Sequence, residues 1–141
     1  MKQYVKDIMT ANPVTLSENA SCVEAAKAMH KGKIGAILVS RDADGELCGI
    51  VTDRDIVVRV VAKGNDPKST TIGEVCTATL TTLAPNESAD EAVRRMEKKA
   101  VRRVPVVDHG KAVGIVSLGD LAVDRDPRSA LGQISAASPN N

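Results

Sequence analysis

The chain states one pattern twice. At a constant offset of 67 residues, TLSENASCVEAAKAMHKGKIGAILV (15–39) faces TLAPNESADEAVRRMEKKAVRRVPV (82–106), with Thr15/Thr82, Asn19/Asn86, Ser21/Ser88, Glu24/Glu91, Met29/Met96 and Val39/Val106 among the identities. After a two-residue shortening, GIVTDRDI (49–56) faces GIVSLGDL (114–121). Two copies of about 60 residues are too few for a solenoid, which needs three or more. They suit two half-domains packed face to face about a pseudo-twofold axis. A site in one copy is then expected to have a counterpart in the other.

A chain of 141 residues with 43% hydrophobic content can bury a core, and with no Trp or Phe and one Tyr that core must be aliphatic. Lys and Arg number 19 against 18 Asp and Glu. Neither repeat is basic, which argues against a nucleic-acid partner, since such binding needs a cationic face. The scarcity of aromatic rings also removes the base-stacking platform of single-strand binders. Cys22, Cys48 and Cys76 are odd in number and widely spaced, so they read as free thiols in a reducing compartment. No signal peptide opens the chain and no apolar run approaches the roughly 18 residues of a membrane span, so no membrane partner and a cytoplasmic location are expected.

Each repeat parses in one order. A short opening segment (5–10, 72–77) leads to a brief strand near 14–16 and 80–83. Ser21-x-x-Glu24 and Ser88-x-x-Glu91 read as capping boxes that start helices. Apolar Cys22, Ala25, Ala26, Met29 and Ala89, Ala92, Val93, Met96 then make one buried stripe on each helix. A β-hairpin follows, turning at Asp42-Ala43-Asp44-Gly45 and at Asp108-His109-Gly110-Lys111. Pro105 lacks a ladder donor, so its strand is expected at an edge or a bulge. A second helix follows each hairpin, the first running from Asp55 to Lys63 and ending at Gly64. The expected fold class is α+β, with each unit β-α-β-β-α and both packed into one module. The boundaries are 5–64, a linker 65–71, 72–124, and a flexible tail 125–141.

Thr52-x-x-Asp55 and Ser117-x-x-Asp120 sit where a buried strand turns into a helix. A hydroxyl with helix N-terminal N–H groups can hold an anion, and a carboxylate three residues on can accept from a vicinal diol. Phosphate and ribose together describe a nucleotide. The same residues also describe a plain capping pair, Thr or Ser at the N-cap with an acid at N3. Arg102 and Arg103 enter a hydrophobic strand where the first repeat has uncharged Gly35 and Ala36. If they neutralise phosphate, the two sites should differ in anion affinity.

Two β-α-β-β-α repeats, each carrying G-h-h-T/S-x-x-D (GIVTDRD, GIVSLGD; h is apolar), with an h-x-P-V strand at 104–106, resemble a tandem pair of cystathionine-β-synthase (CBS) domains, a Bateman module. The resemblance runs from about Val5 to Asp124. It implies a regulatory module that binds adenine nucleotides in clefts between the repeats, as a homodimer. It also implies that Ser117 and Asp120 hold phosphate or ribose, that Arg102 and Arg103 meet phosphate, and that Thr10, Val14, Ile34 and Ala36 wall the adenine. The symmetric cleft would use Thr52 and Asp55 with Thr77, Thr81 and Val101. The first repeat departs from the family at Leu38, often Pro, and at Gly35-Ala36, where a His or Arg often stands; phosphate binding beside that pair is therefore in question.

No P-loop, H-E-x-x-H or Ser/His/Asp order supports an enzyme, and no catalytic cofactor or metal is expected. The first reading is a sensor of AMP, ADP or ATP acting on an effector protein on another chain. The rival is a dimeric scaffold or stress-response protein with empty clefts, or with S-adenosylmethionine, a cyclic dinucleotide or a cysteine-bound metal. The helix read as IVVRVVAKG carries more β-branched apolar surface than one stripe needs, which points to a homodimer built on the helices beginning at Asp55 and Asp120.

Overall fold

Aliphatic residues divide between two cores, and the division is not the one that chain order suggests. The computed structural model describes residues 3–42, 45–78 and 81–137. Its contacts form two compact units, one of residues Met1–Pro13 with Thr81–Asn141, the other of Val14–Leu80. The opening segment of each repeat belongs to the unit of the other. Helix α1 (Val5–Ile8) puts Val5 and Ile8 into the core of the second repeat, with Leu83, Met96, Val104, Val106, Val116 and Leu121.

The first repeat folds around Cys22, Ala25, Met29, Ile37, Val39, Val51 and Val60, all buried. Strand β2 (Thr15–Ser17) runs parallel to β3 (Ala36–Ser40), which pairs antiparallel with β4 (Leu47–Thr52) in the order β2-β3-β4. Helix α2 (Cys22–Gly32) lies between β2 and β3 in sequence, and the Ser21 hydroxyl accepts from Glu24 N–H at 3.1 Å to start it. After β4 comes helix α3 (Asp53–Ile56), whose continuation Val57–Val61 is π-helical: Ala62 N–H reaches Val57 O. Gly64, at φ 73°, ends that helix in the left-handed region. Helix α4 (Ile72–Val75) returns Ile72 and Val75 to this core, and Thr77 exchanges two backbone hydrogen bonds with Ile50 at 2.9 and 3.0 Å.

The second repeat repeats the plan. Helix α5 (Ala89–Lys99) is capped by Ser88, whose hydroxyl accepts from Glu91 N–H at 3.0 Å. Strand β5 (Arg103–Asp108) turns at His109-Gly110, both at positive φ, into β6 (Lys111–Ser117), and β1 (Thr10–Ala11) adds to β6 in the order β1-β6-β5. Pro105 therefore lies on a terminal strand, with a bulge next to it at Val106/Val107. In the first repeat Leu38, the counterpart of Pro105, donates its N–H to Val14 O at 3.0 Å; proline cannot, and strand pairing there shrinks to one parallel bridge, Leu83 with Val106.

Helix α6 (Leu118–Arg125) follows β6. The flexible tail expected over 125–141 contains a helix, α7 (Ala130–Ala136), capped by the Ser129 hydroxyl accepting from Gly132 N–H at 3.0 Å. Gly132 is buried because a Cβ there would meet Ala122 O at 3.1 Å, so α7 lies tight against α6. Parts of the first hairpin turn (Ala43, Asp44) and of the strand expected at 80–83 (Leu80) lie outside the described residues.

Candidate functional site

Both T/S-x-x-D motifs close as reciprocal caps. Ser117 is the extended N-cap of α6; its hydroxyl accepts from Asp120 N–H at 3.1 Å, and Asp120 Oδ2 accepts from Ser117 N–H at 2.9 Å. Thr52 and Asp55 do the same at 3.2 and 2.8 Å. The capping chemistry read from the sequence is thus present at both motifs, and any ligand must be held by what it leaves over.

At the second motif that remainder is considerable. Among the described residues, Oδ1 of Asp120 takes only the Thr10 hydroxyl, at a long 3.4 Å. Thr10 reaches it because β1 pairs Thr10 with Ile115 and Ala11 with Gly114. The glycine of the motif permits that approach: a Cβ on Gly114 would lie 3.0 Å from Thr10 O and collide with Met9. Arg103 stands opposite Ser117 in the β5–β6 register, and Arg102 O accepts from Leu118 N–H at 2.8 Å. Both arginine side chains are exposed, and neither forms an ion pair among the described residues. A weakly engaged carboxylate oxygen, a helix N-terminus and two guanidinium groups without ion pairs among the described residues therefore share one end of this unit. Val101 and Arg102 also line an apolar groove of about 410 Å³ with Val93, Met96, Leu118 and Leu121.

The first motif is built alike but charged differently. Gly49 admits Thr77, whose carbonyl oxygen would lie 2.6 Å from a Cβ at that position. Asp55, however, faces Arg59 at 3.8 Å on the same helix, and Arg59 Nη1 donates to Val75 O at 2.9 Å. The counterpart of Arg59 is Asp124, so Asp120 has no such cation one turn on. Ala36 sits opposite Thr52 in the strand register, where Arg103 stands in the other repeat.

Of the residues singled out in the sequence, Thr10, Thr81, Val101, Arg102, Arg103, Ser117 and Asp120 fall in one unit, and Val14, Ile34, Ala36, Thr52, Asp55 and Thr77 in the other. Val14 and Ile34 are partly exposed, at 38% and 37%. Sequence reasoning placed Thr10 against adenine and missed its hydroxyl contact with Asp120.

The three thiols all titrate above their ordinary value. Burial is the leading cause at Cys22, Cys48 and Cys76, and the hydrogen bond from Cys48 Sγ to Glu18 Oε2 at 3.5 Å adds to it. Among the described residues no three His, Cys, Asp or Glu side chains gather as metal ligands, and no helix is long and apolar enough to cross a membrane.

Comparison with known proteins agrees with this fold. A family model described as the CBS domain matches residues 5–62 and again 72–123. The chain is 41% identical over 128 residues to the CBS domain-containing protein YhcV of Bacillus subtilis, covering 91% of this chain and 89% of that protein. It is similar to the crystal structure of Hypoxic Response Protein I with two coordinated zinc ions, at 38% identity and a TM-score of 0.76, over 84% of this chain and 96% of that one. It is also similar to the CBS domain pair of protein MJ0100 in complex with 5′-methylthioadenosine and S-adenosyl-L-methionine, at 34% identity and a TM-score of 0.73, over 84% and 92%.

Proposed function

The chain belongs to the CBS-domain family as a pair of repeats, and from that premise we propose that it is a regulatory module whose Ser117/Asp120 motif binds an adenine nucleotide. One observation carries the reading: among the described residues, Asp120 keeps an oxygen engaged only by a 3.4 Å hydroxyl contact, beside two exposed arginines without ion pairs. A ribose diol donates to that oxygen. Phosphate takes the α6 N-terminus and the guanidinium groups of Arg102 and Arg103. Thr10, paired beside the motif through β1, is the proposed adenine contact within this unit.

The Thr52/Asp55 motif, with Thr77, is the second and weaker site. Its carboxylate is already partly neutralised by Arg59, and Ala36 replaces the arginine opposite the hydroxyl. Two similar structures bear on ligand class: that of protein MJ0100 holds adenosine derivatives, and that of Hypoxic Response Protein I holds zinc. The output is regulation of an effector on another chain, without catalysis, from a homodimer in the cytoplasm. Melting the protein with AMP, ADP, ATP and S-adenosylmethionine tests this. A ligand at 100 times its Kd adds about 2.7 kcal/mol of stability. An unchanged melting temperature with all four at millimolar concentration would contradict the reading.

A further inference from the structure

The two motifs start their helices with the same backbone bond and opposite charge. Asp53 N–H donates to Gly35 O at 3.0 Å, and Leu118 N–H donates to Arg102 O at 2.8 Å. Gly35 is thus the counterpart of Arg102, and Asp53 that of Leu118. A Cβ built on Gly35 would lie 3.2 Å from Asp53 Oδ2 and 3.5 Å from Oδ1. The Asp53 carboxylate therefore sits over the glycine, beside the point where the arginine side chain leaves the backbone in the second repeat.

Asp53 also takes up the amide that an anion would use. Its Oδ1 accepts from Arg54 N–H at 2.9 Å. With Asp55 N–H held by the Thr52 hydroxyl at 3.2 Å, all three amides at the start of α3 have acceptors within the chain. Among the described residues the matching amide on α6, Gly119 N–H, has none. The amides and dipole at a helix start attract an anion, and at α3 the chain supplies that anion itself. Asp53 is exposed and forms no ion pair among the described residues. Arg54 follows it, but sequence neighbours on a helix do not face each other. Arg59 is engaged by Asp55 at 3.8 Å and by Val75 O at 2.9 Å.

We propose that Asp53 is the specificity residue of the first motif: its carboxylate turns phosphate away, so the Thr52/Asp55 site takes adenosine derivatives without phosphate. The inference rests on the reading of Thr52/Asp55 as an adenosine site and adds what that site rejects. A ribose diol needs only Asp55, whose Oδ2 also accepts from Thr52 N–H at 2.8 Å. A phosphate at the α3 start meets no open amide among N1 to N3, no counterpart of Arg102 or Arg103, and a fixed negative charge.

Amide ¹H–¹⁵N signals of Arg54 and Asp55 report this site alone. In the parent, adenosine should move them with a Kd at least about tenfold below that of AMP, the scale of one charge against a doubly charged phosphate at a wet surface. Asp53→Leu, which copies the second repeat, should bring the two values together by tightening AMP, with adenosine unchanged within a few-fold. Asp53→Asn keeps an acceptor for Arg54 N–H and removes only the charge, so it should give part of that gain. Leu118 is 44% exposed at the equivalent position, so the fold accepts leucine there, and circular dichroism checks that it does. AMP as tight as adenosine in the parent, or a ratio unchanged in both variants, overturns the inference and leaves the site reading standing. Arg54 and Asp55 signals that ignore both ligands to millimolar concentration overturn the site reading at the first motif, and the inference with it.

Discussion

Replacing Asp120 by alanine separates the cap from the site. The carboxylate accepts from Ser117 N–H at 2.9 Å and from the Thr10 hydroxyl at 3.4 Å, and only the first is a strong contact. Losing it should lower stability by about 1–2 kcal/mol, toward the low end of the roughly 1.5–3 kcal/mol for hydrogen bonds to charged groups because Asp120 is partly exposed. For a chain of this size the melting temperature should fall by roughly 3–8 °C. Asp55→Ala supplies the comparison, because its carboxylate makes the same cap at 2.8 Å and should show a similar fall. Binding should distinguish them. Removing the ribose acceptor weakens nucleotide by about 1.5–3 kcal/mol, roughly 10- to 150-fold in Kd. Calorimetric titration of AMP and ATP into each variant below its melting temperature reads this directly. If Asp120→Ala melts lower by the expected amount yet binds both nucleotides like the parent, Asp120 is a cap and nothing more.

Changing Arg102 and Arg103 together to alanine should abolish the preference for ATP or ADP over adenosine while leaving adenosine affinity within a few-fold; calorimetry showing two identical sites in the parent contradicts this. Ala100, the left-handed C-cap of α5 at φ 53°, should gain about 0.5–1 kcal/mol on replacement by glycine, read as a higher melting temperature. The three thiols have folded-state pKa values raised above the ordinary 9.0, so the native state holds protons that the unfolded chain releases. Their contribution is fully present below pH 9.0 and lost as pH rises through the folded values, so the melting temperature should fall above pH 9 and fall less in a Cys22→Ala variant.

The duplicated pattern made the elements legible, because periodicity and capping are local. Ser21, Ser88, Thr52 and Ser117 all cap the helices that their spacing announces. Partnership was less visible. Nothing local in 5–11 says that Val5 and Ile8 pack with the second repeat, and the exchange is recorded only in Gly49 and Gly114, whose missing side chains admit Thr77 and Thr10. The left-handed caps at Lys33 and Ala100 carry no glycine to mark them. Helix α7 hid in a Ser/Ala-rich segment because the contact that holds it depends on small residues, Gly119, Ala122 and Gly132, rather than on an apolar stripe. At the site, the residue types of both motifs were readable. Their inequality was not, because it rests on Arg59 sitting one turn beyond Asp55 where Asp124 follows Asp120.

The central claim is that nucleotide binds at the α6 N-terminus. Amide ¹H–¹⁵N spectra recorded during titration with AMP test it most directly. Signals of Leu118, Gly119 and Asp120, with Thr10 across β1, should shift first and saturate together, followed at higher concentration by those of Asp53–Asp55. Spectra that stay unchanged to millimolar AMP, or shifts that begin elsewhere and bypass Ser117–Asp120, would contradict it.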